Sequence, residues 1–329
     1  MFTIGLIGAG TMGNTHSRSY RQIAGARIVA VCDIDGEKAN QLASAWGATI
    51  FTSMEDMLKS EQFDAVDICL PTDLHRQAVE LAASYGKHVF CEKPIALTVE
   101  DSEAMIEACK KAGVTLMVGH VVRFFPEYRA AREQLLSGRL GDPAVVRTIR
   151  SGAFPSWSGW FKDDSRSGGP LLDLAIHDFD YLRWCFGPVR RVFSRTLTTK
   201  REGMEHTLTL LRFESGVMAH VEASWAYPQG APFQTSLEIT GTKGLALFEK
   251  DKSNSIVKFG GPLNQQGVPD SPLSKSPYAL ELEHFIECVK HKKEPITSGE
   301  EALASLKIGI AAFRSAQTNL PVEMEGILQ

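Results

Sequence analysis

Gly8-Ala9-Gly10-Thr11-Met12-Gly13 is a G-x-G-x-x-G set between an apolar run, Thr3–Ile7, and the start of a helical segment. Alone the pattern is weak, because glycine-rich turns are common. Its setting supplies the weight: Asp33 stands 20 residues beyond Gly13, at the end of a second apolar run, Arg27–Cys32. Strand, glycine turn, helix, second strand and terminal acid together make the fingerprint of a dinucleotide site. Gly8 permits the tight turn, Gly10 lets the backbone approach a pyrophosphate, and Gly13 lets helix and strand close together. The amides of Thr11, Met12 and Gly13 open a helix whose N-terminus attracts phosphate. Asp33 accepts ribose hydroxyls in this reading. A 2′-phosphate about 4 Å away would meet a repulsion of about 4 kcal/mol at an effective dielectric near 20. NAD is therefore expected ahead of NADP, with Lys38 the nearest base that could rescue NADP. Asp35 is better placed than Asp33 to cap the next helix.

Outward from this loop, apolar runs alternate with helical ones. Thr3–Ile7, Arg27–Cys32, Ala65–Leu70, His88–Cys91 and Thr115–Val118 read as strands, several almost continuously apolar, as in a sheet covered on both faces. Glu37–Trp46, His75–Tyr85 and Val99–Lys111 read as helices, the last with Thr98 as N-cap and Gly113 just past its end. This order predicts a doubly wound parallel sheet of Rossmann type over residues 1–120.

Beyond residue 120 the pattern changes. A helix, Glu127–Ser137, precedes consecutive strands at Ala144–Ser151, Val189–Thr198, His206–Phe213, Val217–Trp225, Thr235–Gly241 and Leu245–Glu249. Strands without intervening helices predict a large, mostly antiparallel open sheet in a C-terminal α/β domain, 121–329. Leu208, Leu210, Val217, Ala219 and Val221 are expected to form its core face. Residues 260–277 carry four prolines and read as an exposed loop. Helices near Tyr278–Lys290 and Gly299–Gln317 follow, leaving open that they pack back on the first domain. The basic run Lys290-His291-Lys292-Lys293 then falls at a helix C-terminus, where cations suit the dipole.

Two more strand ends open onto the cofactor crevice. They are Leu70-Pro71-Thr72-Asp73-Leu74-His75 and Cys91-Glu92-Lys93-Pro94, giving Leu70, Thr72, His75, Glu92 and Lys93 as cofactor-binding candidates. His75 reads equally well as an ordinary first-turn helix residue. Further on, Gly168-Gly169-Pro170 opens a segment in which Asp173 and His177 are four apart, placing both on one helical face among apolar neighbours. A carboxylate beside an imidazole is what proton abstraction from an alcohol requires. A structural Asp–His pair in a core helix is the competing reading, and no H-E-x-x-H or Cys/His spacing supports a metal. Arg123, Trp157, Trp160 and Tyr227 are candidates for a wall suited to a sugar or cyclitol ring, with Tyr278 as a further one. Core packing explains any one Trp equally well, and Arg123 also suits a carboxylate or a cofactor phosphate.

Gly8–Gly13, Glu92-Lys93-Pro94, Asp173-x-x-x-His177 and Ile239-Thr240-Gly241-Thr242-Lys243-Gly244 together resemble the glucose–fructose oxidoreductase / inositol dehydrogenase / rhizopine-catabolism (Gfo/Idh/MocA) family along essentially the full chain. Pro170 departs from the small residue many relatives carry there. The resemblance implies Lys93, Asp173 and His177 as a catalytic trio and a cis bond before Pro94. It also implies a C-terminal sheet that joins subunits into a homodimer or homotetramer. The implied activity is NAD-dependent oxidation of a secondary alcohol of an inositol, polyol or sugar, with His177 as base. Alternatives are an NAD-dependent glycosidase that recycles its cofactor internally, and a non-catalytic nucleotide- or sugar-binding regulator.

Composition is that of an ordinary soluble globular chain. Of 329 residues, 43% are hydrophobic and 22% charged, which excludes a disordered chain. A net charge of −4 gives no field to attract nucleic acid or anionic membranes, so neither is expected as a partner. Six scattered cysteines without a C-x-x-C, and an N-terminus without a basic leader, point to the reducing cytoplasm.

Overall fold

The computed structural model describes residues 1–60, 62–156, 158–198, 205–250, 257–259 and 275–327. The chain divides into two compact units, Met1–Val121 with Lys275–Leu303, and Val122–Ser274 with Ala304–Gln329.

The first unit runs β1 (Phe2–Ile7), α1 (Thr11–Tyr20), β2 (Ala26–Cys32), α2 (Gly36–Ser44), β3 (Thr49–Phe51), α3 (Met54–Ser60), β4 (Ala65–Ile68), α4 (His75–Ser84), β5 (His88–Cys91), α5 (Val99–Ala112) and β6 (Leu116–Val118). Its sheet is parallel throughout, in the order β3-β2-β1-β4-β5-β6, so the strand order reverses beside β1. Ligands bind at that switch point, outside the carboxyl ends of the strands. β4 is buried at every position, as a central strand covered on both faces must be. Local signals set the helix ends. Asp35 caps α2 by accepting the amides of Glu37 and Lys38, Thr98 caps α5 by accepting that of Asp101, and Gly113 closes α5. The sequence reading did not anticipate β3 and α3, which are short and partly exposed.

The second unit contains α6 (Pro126–Leu136), β7 (Pro143–Ala153), α7 (Asp164–Ser167), α8 (Gly169–Asp173), α9 (Ala175–Phe186), β8 (Val189–Thr198), β9 (Glu205–Phe213), β10 (Met218–Tyr227), β11 (Gln234–Gly241), β12 (Leu245–Glu249) and β13 (Val257–Phe259). The chain continues as α10 (Pro277–His291) in the first unit, α11 (Gly299–Thr318), β14 (Val322–Glu323) and a short 3-10 turn, Met324–Gly326. The eight-stranded sheet runs β13-β12-β11-β7-β10-β9-β8-β14, antiparallel except for β7 beside β10. Phe179, Leu182, Val192, Leu211, Val221, Ile239 and Ala311 belong to one core between this sheet and its helices. α10 packs on α1, and the basic run closes α10 at Lys292. Of the expected exposed loop, residues 260–274 lie outside the described residues.

The expected core face is corrected on β9. Ala219 pairs with Leu211 and Val221 with Thr209, all buried, whereas Leu208 and Leu210 point to the other face and are exposed. Threonines face the core because their hydroxyls are satisfied there. Thr209 Oγ1 lies 2.8 Å from Ser194 Oγ, and Thr207 Oγ1 donates to the Ala223 carbonyl at 3.2 Å.

Candidate active site

In the first unit, the loop after β1 turns back at Gly8, whose φ of +96° favours glycine. A Cβ there would sit 2.4 Å from the Cys69 carbonyl oxygen, and one on Gly13 would sit 1.9 Å from that of Gly8. The fold itself thus demands glycine at both positions. Gly10 is different: it caps α1 in extended conformation with no side-chain cap, and a Cβ on it would meet nothing within 4 Å. That open approach at a helix start without a side-chain cap fits a dinucleotide phosphate at the N-terminus of α1. Thr11 is exposed and Met12 half-buried at the same helix start.

Asp33 lies at the end of β2, half-buried, with Oδ2 accepting the Ala9 amide at 2.7 Å and Oδ1 that of Asp35 at 2.9 Å. Lys38 Nζ is 3.1 Å from Asp35 Oδ2. Beside Asp33, the large apolar side chain of Ile34 is 94% exposed. Sequence reasoning passed it by, although an isoleucine directly after the fingerprint acid was the signal.

The remaining crevice candidates separate. Leu70 is half-buried and Thr72 buried. His75 is a correction. It is fully buried, with Nε2 3.0 Å from the Leu70 carbonyl oxygen and Nδ1 3.0 Å from that of Pro94 and 3.3 Å from that of Ile95. Its ring ties two loops together and has no surface for a cofactor. Glu92 is a second correction: its carboxylate turns inward to His16 and accepts the Lys93 amide, instead of facing the crevice. Lys93 itself is half-buried, and the Lys93–Pro94 bond is cis.

In the second unit, Gly168 and Gly169 both take positive φ, and Pro170 stands in the first turn of α8. The regular helix expected to carry both Asp173 and His177 breaks at Leu174, between α8 and α9, so they do not share one helix. Even so, from Ser167 to Leu182 every side chain is buried except those of Asp173 and His177. Two polar groups alone break the surface of an otherwise closed stretch.

Arg123 is corrected as a substrate residue. It is 1% exposed, with Nε 2.8 Å from Asp180 Oδ2 and Nη2 2.7 Å from Oδ1, a bidentate pair beneath Trp184. Trp160 is half-buried and stacked on Phe161 at 4.1 Å, and Phe161 meets Trp225 edge-on at 6.0 Å. Tyr227 is half-buried at the end of β10. Trp157 lies outside the described residues. Tyr278 sits on α10 with its ring 6.1 Å from that of His16, in the packing of the first unit.

Known proteins resolve the kinship. Residues 2–120 match the model described as oxidoreductase family, NAD-binding Rossmann fold, and residues 128–247 match the GFO/IDH/MocA C-terminal domain. The chain belongs to the Gfo/Idh/MocA oxidoreductase family. Like its relatives, this Gfo/Idh/MocA chain is an oxidoreductase with an NAD-binding fold. It is 33% identical to a D-apiose dehydrogenase of Paraburkholderia graminis, over 98% of this chain and 89% of that one. It is also 33% identical to an inositol 2-dehydrogenase of Rhizobium meliloti, over 94% and 96%. The WlbA dehydrogenase of Bordetella pertussis, solved with NADH and UDP-GlcNAcA, superimposes with a TM-score of 0.86 at 28% identity, covering 98% of both chains. Among the described residues, no helix of this family member is long and apolar enough to cross a membrane.

Proposed function

We propose that this oxidoreductase is an NAD-dependent dehydrogenase that oxidises a secondary alcohol of an inositol, polyol or sugar. The observation that carries the reading is the closed stretch from Ser167 to Leu182, broken only by Asp173 and His177. An imidazole left open in this way can take a hydroxyl proton, and a carboxylate near it can orient the ring. The bound nicotinamide supplies the hydride acceptor. In this proposal His177 removes the hydroxyl proton, Asp173 orients His177, and Lys93 polarises the substrate oxygen.

Asp33 supports NAD over NADP, because its carboxylate is held in place by two amides where a 2′-phosphate would have to come. Ile34 offers an apolar cover for the adenine. Trp160 and Tyr227 are proposed for the substrate wall, since a sugar ring presents an apolar face that an aromatic can cover. Domain boundaries near residue 121 and a cytoplasmic setting for the six free thiols belong to the same reading. So does a homodimer or homotetramer formed through the outer sheet face that carries Leu208, Leu210 and Met218.

The test is nicotinamide absorbance on purified protein, with NAD and NADP supplied separately against inositols, aldoses and amino- or nucleotide-sugars. Net reduction of NAD by one compound class is expected. No reduction by any of them, despite measured NAD binding, would sink the dehydrogenase reading and turn attention to glycoside cleavage.

A further inference from the structure

A buried line of charges runs beneath the Lys93 segment, entirely within the first unit. His16, on α1 and fully buried, places Nδ1 2.9 Å from Asp67 Oδ2 on β4 and Nε2 3.0 Å from Glu92 Oε1 at the end of β5. The other oxygen of Glu92 accepts the Lys93 amide at 3.0 Å. Signs alternate along the three side chains, Asp67 negative, His16 positive and Glu92 negative, and the line ends on the Lys93 amide. An imidazole between two buried carboxylates holds both protons, since each nitrogen then faces an acceptor. Burial alone would lower its pKa, but the charge of Asp67 and the hydrogen bond to it hold it well above the ordinary value. Burial likewise pushes Glu92 up, and the hydrogen bond and charge of His16, with the charge of Lys93, bring it below the ordinary value.

Burying these charges is a weak source of stability, because two apolar side chains of similar volume are often as stable or more so. What they hold is the backbone at Lys93. On its other side the same segment is fixed by His75, whose ring meets the carbonyls of Pro94 and Ile95. We propose that His16, anchored by Asp67, is a positioning residue for the reaction, acting through Glu92 on the main chain of Lys93. The inference rests on the proposed role of Lys93.

The experiment compares kcat and KM in His16→Gln, Glu92→Gln, their double variant and Lys93→Met, with NAD and the substrate found by absorbance. The expected result is a fall in kcat of about 10- to 100-fold in each single variant at positions 16 and 92, the scale of a small misplacement of a reacting group. KM for NAD stays within about twofold, and the double variant is no slower than the worse single, as two residues in one line require. Amide exchange gives a readout apart from turnover: the Lys93 N–H exchanges faster in His16→Gln than in the wild type. If His16→Gln does not fold, Asp67→Asn carries the same comparison. Unchanged kcat in folded variants, effects that multiply, or a loss confined to KM for NAD would each overturn the proposal. One equivalent of zinc in the purified protein would also overturn it, since Nδ1 would then carry a metal in place of a proton. Full turnover in Lys93→Met removes the role of Lys93 and this inference together, whereas an inactive Lys93→Met beside a fully active His16→Gln removes this inference alone.

Discussion

Asp33 holds Ala9: the carboxylate at the end of β2 accepts the first amide inside the glycine loop at 2.7 Å. One group therefore both shapes the loop and sets the charge that a cofactor ribose would meet. Asp33→Asn keeps an acceptor for Ala9 and removes the charge. The ratio of NADP to NAD affinity, measured by titration, is expected to rise at least about tenfold, a fraction of the repulsion of about 4 kcal/mol between the charges. An unchanged ratio would show that Asp33 does not discriminate.

Gly10 and Gly13 part company on substitution. Gly13→Ala forces a Cβ against the Gly8 carbonyl and is expected to lower stability by about 1–3 kcal/mol in urea unfolding. Gly10→Ala has open space, so only the loss of a favourable N-cap residue, under about 1 kcal/mol, is expected in unfolding, while NAD affinity falls by about tenfold or more as contacts to the cofactor phosphates are lost. Equal effects of the two on stability would argue against a ligand at Gly10.

The helix that was read through Asp173 and His177 shows where sequence reasoning stopped. Asp35, Thr98 and Gly113 were legible because caps are local: a short polar side chain, or a glycine, announces the helix end within a few residues. The break at Leu174 has no such marker, since leucine is a good helix former. Arg123 was misread because its partner Asp180 lies 57 positions away. On β9, period-two alternation was present, but Thr207 and Thr209 rather than Leu208 and Leu210 face inward, and only cross-strand hydroxyl partners reveal that. Exposure also decided His75 and Glu92, whose placement at strand ends suited a cofactor until their side chains were seen to turn inward.

Breaking the Arg123–Asp180 pair leaves a buried charge without its counterpart. Arg123→Met is expected to cost about 3–5 kcal/mol in chemical denaturation, and Arg123→Met with Asp180→Leu to recover most of that. Ser305, which donates to Asp180 at 3.1 Å, would lose one partner in the double variant. A single variant as stable as the wild type would contradict the geometry.

His177→Ala tests the base. Turnover is expected to fall by about 10²–10⁴-fold with NAD affinity intact. Turnover close to wild type would remove His177 from the mechanism.

His75 links stability to pH on the acid side. Burial, opposed by the Leu70, Ile95 and Pro94 carbonyls and the charge of Glu92, keeps its pKa below the ordinary value. The unfolded chain therefore takes up the proton first, and the contribution of His75 to stability is present above about pH 6.5 and declines as pH falls toward the folded value. In denaturant titrations from pH 7.5 to 5.5, the wild type is expected to lose stability relative to His75→Gln, at no more than about 1.4 kcal/mol per pH unit. Parallel profiles would mean that His75 is not held neutral. His16 works in the opposite sense. Its pKa is raised, so its contribution is full below about pH 6.5 and fades as pH climbs through the folded value.

The chain leaves the first unit at Val121 and returns to it only at Lys275. On a ribosome making about 5–20 residues per second, the stretch from Val122 to Leu303 takes about 10–40 s to appear. For that interval the nascent β1–β6 sheet is complete in strands, yet α1 waits without α10 over it. Synthesis order thus leaves the dinucleotide-binding half unfinished until nearly the whole chain has emerged. Chaperones or early cofactor capture would find their opening in that delay.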